Sequence, residues 1–116
     1  MPQFMLLLHD KPGAYAGLSP ADMQVTIQRY AAWSRSLREQ GKVADGKKLG
    51  NDGGRLMRRK GQEVLVSDGP YLESKEVMAG YFILNAADYD EAVRISSDCP
   101  HLDYQGTIEV RQIDVV

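Results

Sequence analysis

Two stretches decide the architecture: Phe4-Met5-Leu6-Leu7-Leu8 near the start and Val77-Met78-Ala79-Gly80-Tyr81-Phe82-Ile83-Leu84 two-thirds of the way along. Both are apolar runs of strand length, rich in residues that suit a pleated sheet. Side chains alternate across a strand, so Phe4, Leu6 and Leu8 point one way and Met5 and Leu7 the other, as Phe82 and Leu84 oppose Tyr81 and Ile83. Apolar residues on both sides belong to central strands whose two faces are both covered. These two segments are therefore expected side by side in the middle of one sheet.

Outward from them, the remaining signals fall into order. Ser19, Pro20 and Asp22 supply an N-cap, a proline at the first helical position and an early acid. Met23, Ile27, Tyr30, Ala31, Ser34 and Leu37 then recur at helical spacing until Gly41. Val43–Leu49 is a weak strand, and Arg55–Lys60 with Glu63–Ser67 reads as a hairpin about Gly61. Asp68–Glu76 is irregular and charged. Asp88 and Glu91 form a capping box for a short second helix carrying Tyr89, Ala92 and Val93, which Pro100 closes. Thr107–Ile113 is the last strand. The order is βαββαβ with an extra β-hairpin, an α+β, two-layer, ferredoxin-like plan with both helices on one face. The other apolar face then needs a second sheet, so a homodimer with a cleft between its sheets is expected.

The 116 residues suit a single domain over 1–116, and 43% hydrophobic with 26% charged residues is ordinary globular composition. The lone Cys99 cannot form an internal disulfide and reads as a small buried hydrophobe. With no run near the ~20 apolar residues of a membrane span and no basic signal-peptide start, a cytoplasmic location and no membrane association are expected. The net charge of −2 conceals a basic stretch, 42–60, at +5. Without interleaved aromatics or an RNA-binding signature it reads as a polar hairpin, and nucleic acid is not an expected partner. No glycine-rich nucleotide loop, nucleophile elbow or metal-ligand spacing occurs, so neither cofactor nor metal is expected.

Val66-Ser67-Asp68-Gly69-Pro70-Tyr71-Leu72-Glu73-Ser74-Lys75-Glu76 followed by Gly80-Tyr81 resembles the signature of the DGPF-type branch of the YCII-related family. Met5-Leu6-Leu7-Leu8, Asp90-Glu91-Ala92, Cys99-Pro100-His101-Leu102 and Gly106-Thr107-Ile108-Glu109-Val110-Arg111 extend the resemblance over almost the whole chain. Tyr71 stands where the family has phenylalanine, and Gln112 where it usually has proline. Tyr30 occupies the place in helix one where the wider family has a histidine. The resemblance implies a dimeric α/β barrel and bacterial cytosolic proteins, some relatives being lyases or isomerases of small cyclic compounds. It also implies gene neighbourhoods shared with extracytoplasmic-function sigma factors.

The candidate catalytic residues are Asp68, as general base or as a turn cap, and His101, as a proton shuttle or a surface residue. Glu73 and Lys75 set the charge of a cleft or of a solvated loop. His9 lies on the Met5 and Leu7 side, aimed at the dimer cleft. Tyr30 and Tyr81 donate to a ligand or pack, and Arg111 clamps an anion. Asp68 and His101 are expected at one cleft. Two functions follow: a lyase or isomerase moving a proton on a small organic molecule, or a non-enzymatic ligand-binding module acting with a partner such as a sigma factor.

Overall fold

The computed structural model describes residues 1–50, 52–68 and 77–115. Strand β1 (Gln3–Asp10) is followed by helix α1 (Pro20–Glu39), strands β2 (Val43–Lys48), β3 (Arg55–Lys60), β4 (Glu63–Asp68) and β5 (Val77–Asn85), helix α2 (Tyr89–Ser96) and strand β6 (Thr107–Gln112). A short 3₁₀ helix, Pro100–Tyr104, lies between α2 and β6. One antiparallel sheet has the order β2-β5-β1-β6, which puts the two apolar runs at its centre; β3 and β4 form a separate two-stranded sheet. This is the expected ferredoxin-like α+β arrangement with an added hairpin.

Local chemistry explains the helix starts. The Ser19 hydroxyl accepts from the Asp22 N–H at 3.1 Å, and Asp88 accepts from the Glu91 N–H at 2.9 Å while Glu91 accepts from Ala87 at 3.0 Å. Phe4, Leu6 and Leu84 are fully buried among Leu8, Val43, Ala86, Ala92 and Ile95. Tyr89 of α2 meets Phe4 edge-on at 4.9 Å, and Trp33 of α1 meets Phe82 at 5.1 Å. Both helices therefore cover the face that carries Phe4 and Phe82. Met5, Leu7, Tyr81 and Ile83 stand half-buried on the other face, where no helix among the described residues packs.

Three details differ from expectation. In α1 only Thr26 is buried, and Ile27, placed on the inward stripe by its spacing, is 52% exposed. Of that stripe only Leu37 packs against the core, beside Trp33, which the stripe did not include; Met23, Ile27, Tyr30, Ala31 and Ser34 border open space. In α2 the buried residues are Ala92, Ile95 and Ser96, with Tyr89 and Val93 half-exposed, so the helix is rolled by about one position from the predicted stripe. Finally, Pro100 does not merely end α2: it begins the 3₁₀ helix, which Gln105 closes at φ 62°.

Two glycines set how closely β2 lies against the sheet. A Cβ at Gly80 would stand 2.7 Å from the Lys47 carbonyl oxygen, and one at Gly46 would stand 2.4 Å from the Phe82 ring. The chain extends 47 × 44 × 19 Å, and its radius of gyration, 16.1 Å, exceeds the roughly 13 Å of a compact chain this long.

Candidate functional site

The site begins at the end of β1. There β5 carries one extra residue, Ala79, between the Leu8–Gly80 and His9–Met78 pairs, a bulge of the kind that re-aims groups at a strand end, while β1 keeps its regular pairing with β6 through His9. Beyond it the His9 carbonyl oxygen lies 2.8 Å from Nε2 of His101. His101 sits in the 3₁₀ helix and is 2% exposed. Its other nitrogen, Nδ1, lies 2.9 Å from the Tyr30 hydroxyl. A carbonyl oxygen only accepts, so in the neutral ring Nε2 carries the proton and Nδ1 accepts from Tyr30. Tyr30 has a single hydroxyl proton; once it is given to Nδ1, the Tyr30 oxygen accepts from Tyr15, 3.2 Å away.

Asp10 completes the group. Its Oδ1 lies 3.5 Å from both the Tyr15 hydroxyl and Nε2 of His101. If the imidazole gains a proton, the chain reverses: Nδ1 donates to Tyr30, Tyr30 to Tyr15, and Tyr15 to Asp10. The Tyr15–Tyr30 and Tyr30–His101 links are satisfied in either direction, and the Tyr15–Asp10 bond forms in the second. Burial, reinforced by the Tyr15 hydroxyl, pushes the Tyr30 phenol far above the ordinary tyrosine range. Burial also raises Tyr15, partly offset by its bond to Tyr30. Both phenols therefore keep their protons at neutral pH. The rings are braced from outside by Tyr104, stacked on Tyr30 at 6.4 Å and held in turn by Arg29, which donates to its hydroxyl at 2.9 Å.

This group forms one end of a cavity of about 380 Å³ between α1 and the sheet. Met23, Ile27, Ala31 and Ser34 of α1 make one wall, and Leu8, Ala79, Gly80 and Phe82 the floor. Here the under-filled helix stripe has its explanation, for it lines a pocket. A volume of that size takes a single-ring molecule. Among the described residues no three His, Cys, Asp or Glu side chains gather as a metal site, and no helix is long and apolar enough to cross a membrane.

Residues 2–115 match the YCII-related domain. The chain belongs to this family. An uncharacterized protein of Rhizobium meliloti is 29% identical, the match covering 85% of this chain and 90% of the relative. Among solved structures, 5-chloro-2-hydroxyhydroquinone dehydrochlorinase (TftG) from Burkholderia phenoliruptrix, in complex with 2,5-dihydroxybenzoquinone, superposes with a TM-score of 0.53 at 18% identity. That likeness covers 98% of this chain and 95% of the other, and it establishes a shared fold.

Within this YCII-related chain the predicted site residues separate into groups. Tyr30 and His101 meet in the cavity, and His101 is buried instead of lying on a surface loop. His9 contributes its carbonyl there, while its ring leaves on the helix-free face and donates to Glu109 at 3.3 Å. Tyr81, opposite Leu7, and Arg111, opposite Met5 and 3.9 Å from Glu109, share that outer face. Asp68 is exposed at the end of β4 and pairs with Arg55 at 3.3 Å, not with His101. The carboxylate beside His101 is Asp10. Glu73 and Lys75 lie outside the described residues. Cys99, buried, has its thiol pushed up to about 11 by that burial, which suits packing and not nucleophilic attack.

Asp10, Tyr15 and Gly106 were not apparent from the sequence. A Cβ on Gly106 would stand 2.3 Å from Nε2 of His101, so glycine there leaves the room in which the ring sits. Gly106→Ala should lower stability by about 1–3 kcal/mol through overpacking and move the His101 ring resonances. Gly17→Ala, where a Cβ would meet nothing within 4 Å, should do neither. Urea denaturation and histidine NMR of the pair check this; a Gly106→Ala protein indistinguishable from the Gly17→Ala control would contradict it.

Proposed function

We propose that this protein binds a small ring compound in the α1–sheet cavity and moves a proton on it, as a lyase or isomerase of the acid/base kind. The observation that carries this reading is the chain Tyr15–Tyr30–His101, satisfied in both directions, at the inner end of an otherwise apolar cavity. A substrate proton accepted at the Tyr15 oxygen displaces that phenol's proton to Tyr30 and the Tyr30 proton to Nδ1. The products of this step are an imidazolium and a substrate anion. Asp10, 3.5 Å from Nε2, stabilises the imidazolium. Return of the proton to a different substrate atom completes an isomerisation; departure of an adjacent anionic leaving group first, with its electron pair, completes an elimination.

The structural neighbour's bound compound, 2,5-dihydroxybenzoquinone, is a suitable probe because its ring C–H protons exchange only through such proton transfers. Calorimetric titration should give one saturable site, with Tyr30→Phe weakening it about fivefold, the worth of one hydrogen bond. In D₂O the protein should speed loss of the ring C–H signal, and Tyr30→Phe or His101→Gln should slow it by about 100-fold. Saturable binding without exchange would favour the alternative, a ligand-binding module working with a partner such as a sigma factor. Absence of binding would sink both.

We also infer that two copies pack through their helix-free faces into a dimeric α/β barrel, and that the chain belongs to the DGPF-type branch of its family and acts in the bacterial cytosol. The half-buried Met5, Leu7, Tyr81 and Ile83 and the flat, extended dimensions of the chain support the dimer. Sedimentation at micromolar concentration should report twice 12.9 kDa, and Leu7→Asp, which would bury a charge without a partner, should abolish assembly. A wild-type monomer would overturn it.

A further inference from the structure

A second bridge spans the gap between α1 and the 3₁₀ helix, beside the bond that joins Tyr30 to His101. Arg29 precedes Tyr30 on α1, and Asp103 and Tyr104 follow His101 in the 3₁₀ helix. Neighbours on a helix point about 100° apart, so Tyr30 enters the cavity while Arg29 stays exposed on the outside. One guanidinium nitrogen of Arg29 donates to the Asp103 carboxylate and another to the Tyr104 hydroxyl at 2.9 Å. Two bridges thus link the same pair of elements. The inner one, 2.9 Å between the Tyr30 hydroxyl and Nδ1 of His101, belongs to the proton chain; the outer one is an ion pair at the surface.

Tyr104 connects the outer bridge to the inner one. Its ring stacks on Tyr30 with 25° between the planes and lies 5.9 Å from the Tyr15 ring, so one side chain rests against both phenols of the chain. Its hydroxyl also bonds to Thr26, the buried residue of α1. The Thr26 hydroxyl gives its own proton to the Asp22 carbonyl oxygen at 2.9 Å, so it accepts from Tyr104.

The sheet does little to fix this part of α1. The cavity separates the helix from the sheet along Met23, Ile27 and Ala31, and the contacts of α1 with the core lie further on, at Trp33 and Leu37. Where Tyr30 stands is therefore set from the side, by the 3₁₀ helix. A shift of about 1 Å between the two elements would stretch the inner bond past the ~3.2 Å of a good hydrogen bond. Misplacements of that size cost about 100-fold in rate.

We propose that Arg29 and Tyr104 are positioning residues: the bridge from Arg29 to Asp103 and Tyr104 sets the spacing of α1 and the 3₁₀ helix, and so keeps the Tyr30 hydroxyl on Nδ1 of His101. This rests on the acid/base reading of the cavity and adds to it what holds the proton chain in register. The Arg29 and Asp103 side chains are 45% and 58% exposed, so salt screens the bridge. The reaction thereby acquires a dependence on ionic strength that its buried groups alone would not give it.

The test compares Arg29→Met, Arg29→Lys and Tyr104→Phe with Arg35→Met, a control at another exposed arginine of α1. The readouts are ring C–H exchange of saturating 2,5-dihydroxybenzoquinone in D₂O and the ¹⁵N shift of His101 Nδ1. Methionine and lysine are good helix formers, so the α1 variants should remain folded. Arg29→Met should slow exchange about tenfold with KM unchanged, less than a full 1 Å misplacement because the Tyr104 ring still rests on Tyr30. It should also move the Nδ1 shift toward that of a nitrogen accepting no hydrogen bond. Arg29→Lys, which keeps one charged donor, should recover part of the rate, and Tyr104→Phe, which keeps the ring alone, should lose about threefold. Sodium chloride at 1 M, where the Debye length is about 3 Å, should slow the wild type severalfold and leave Arg29→Met unchanged. Arg29→Met matching Arg35→Met in either readout, or sharing the wild type's salt dependence, would overturn the proposal and leave the proton chain intact. A wild type that catalyses no exchange would remove the acid/base reading and the positioning role together.

Discussion

A buried imidazole is tolerated only if both of its nitrogens are answered, and His101 is answered from opposite directions: by the His9 backbone carbonyl at 2.8 Å and by the Tyr30 hydroxyl at 2.9 Å. These two bonds tie the central strand β1, the helix α1 and the 3₁₀ segment to one ring, over sequence separations of 92 and 71 residues. Much else follows from holding that ring. The end of β1 brings the His9 carbonyl to it, Gly106 leaves room for the imidazole, and Tyr15, in the loop after β1, completes the chain. No buried side-chain polar atom among the described residues lacks a partner, so the polar end of the cavity is fully satisfied.

The same requirement accounts for the cavity. Tyr30 meets His101 at the polar end, while the contacts of α1 with the core are made further along by Trp33 and Leu37. The stripe between and beside them, Met23, Ile27, Ala31 and Ser34, is left facing space instead of side chains. Small residues on the floor, Ala79 and Gly80, deepen that space. A helix that is amphipathic but sparsely buried is the local cost of an enclosed place in which a ligand can displace water.

Much of this was legible in the sequence, and the parts that were not share a physical reason. The central strands announced themselves because both of their faces are apolar, and the helix starts because Ser19, Asp88 and Glu91 act on backbone groups only three or four residues away. Periodicity identified the inward stripe of α1 correctly, but it cannot distinguish a stripe against a core from one against a cavity. In α2, only eight residues long, the pattern was too short to fix the roll. Tyr30 and His101 were both recognised as candidates, yet their meeting depends on tertiary placement that no spacing encodes. Asp68 drew attention as a carboxylate beside a turn; Asp10, which ends the apolar first strand, lies next to the histidine instead, while Asp68 pairs with Arg55 in the hairpin.

The central claim concerns a proton's position, and it can be observed directly. Long-range ¹H–¹⁵N correlation spectra distinguish the two neutral tautomers of a histidine ring, and this chain has only two histidines. At a pH where its ring is neutral, His101 should show a protonated Nε2, slow to exchange with solvent, and a bare Nδ1 with the shift of a nitrogen accepting a hydrogen bond. A proton on Nδ1 in the neutral ring, or a rapidly averaging pair of tautomers, would contradict the arrangement from which the cavity's chemistry has been derived.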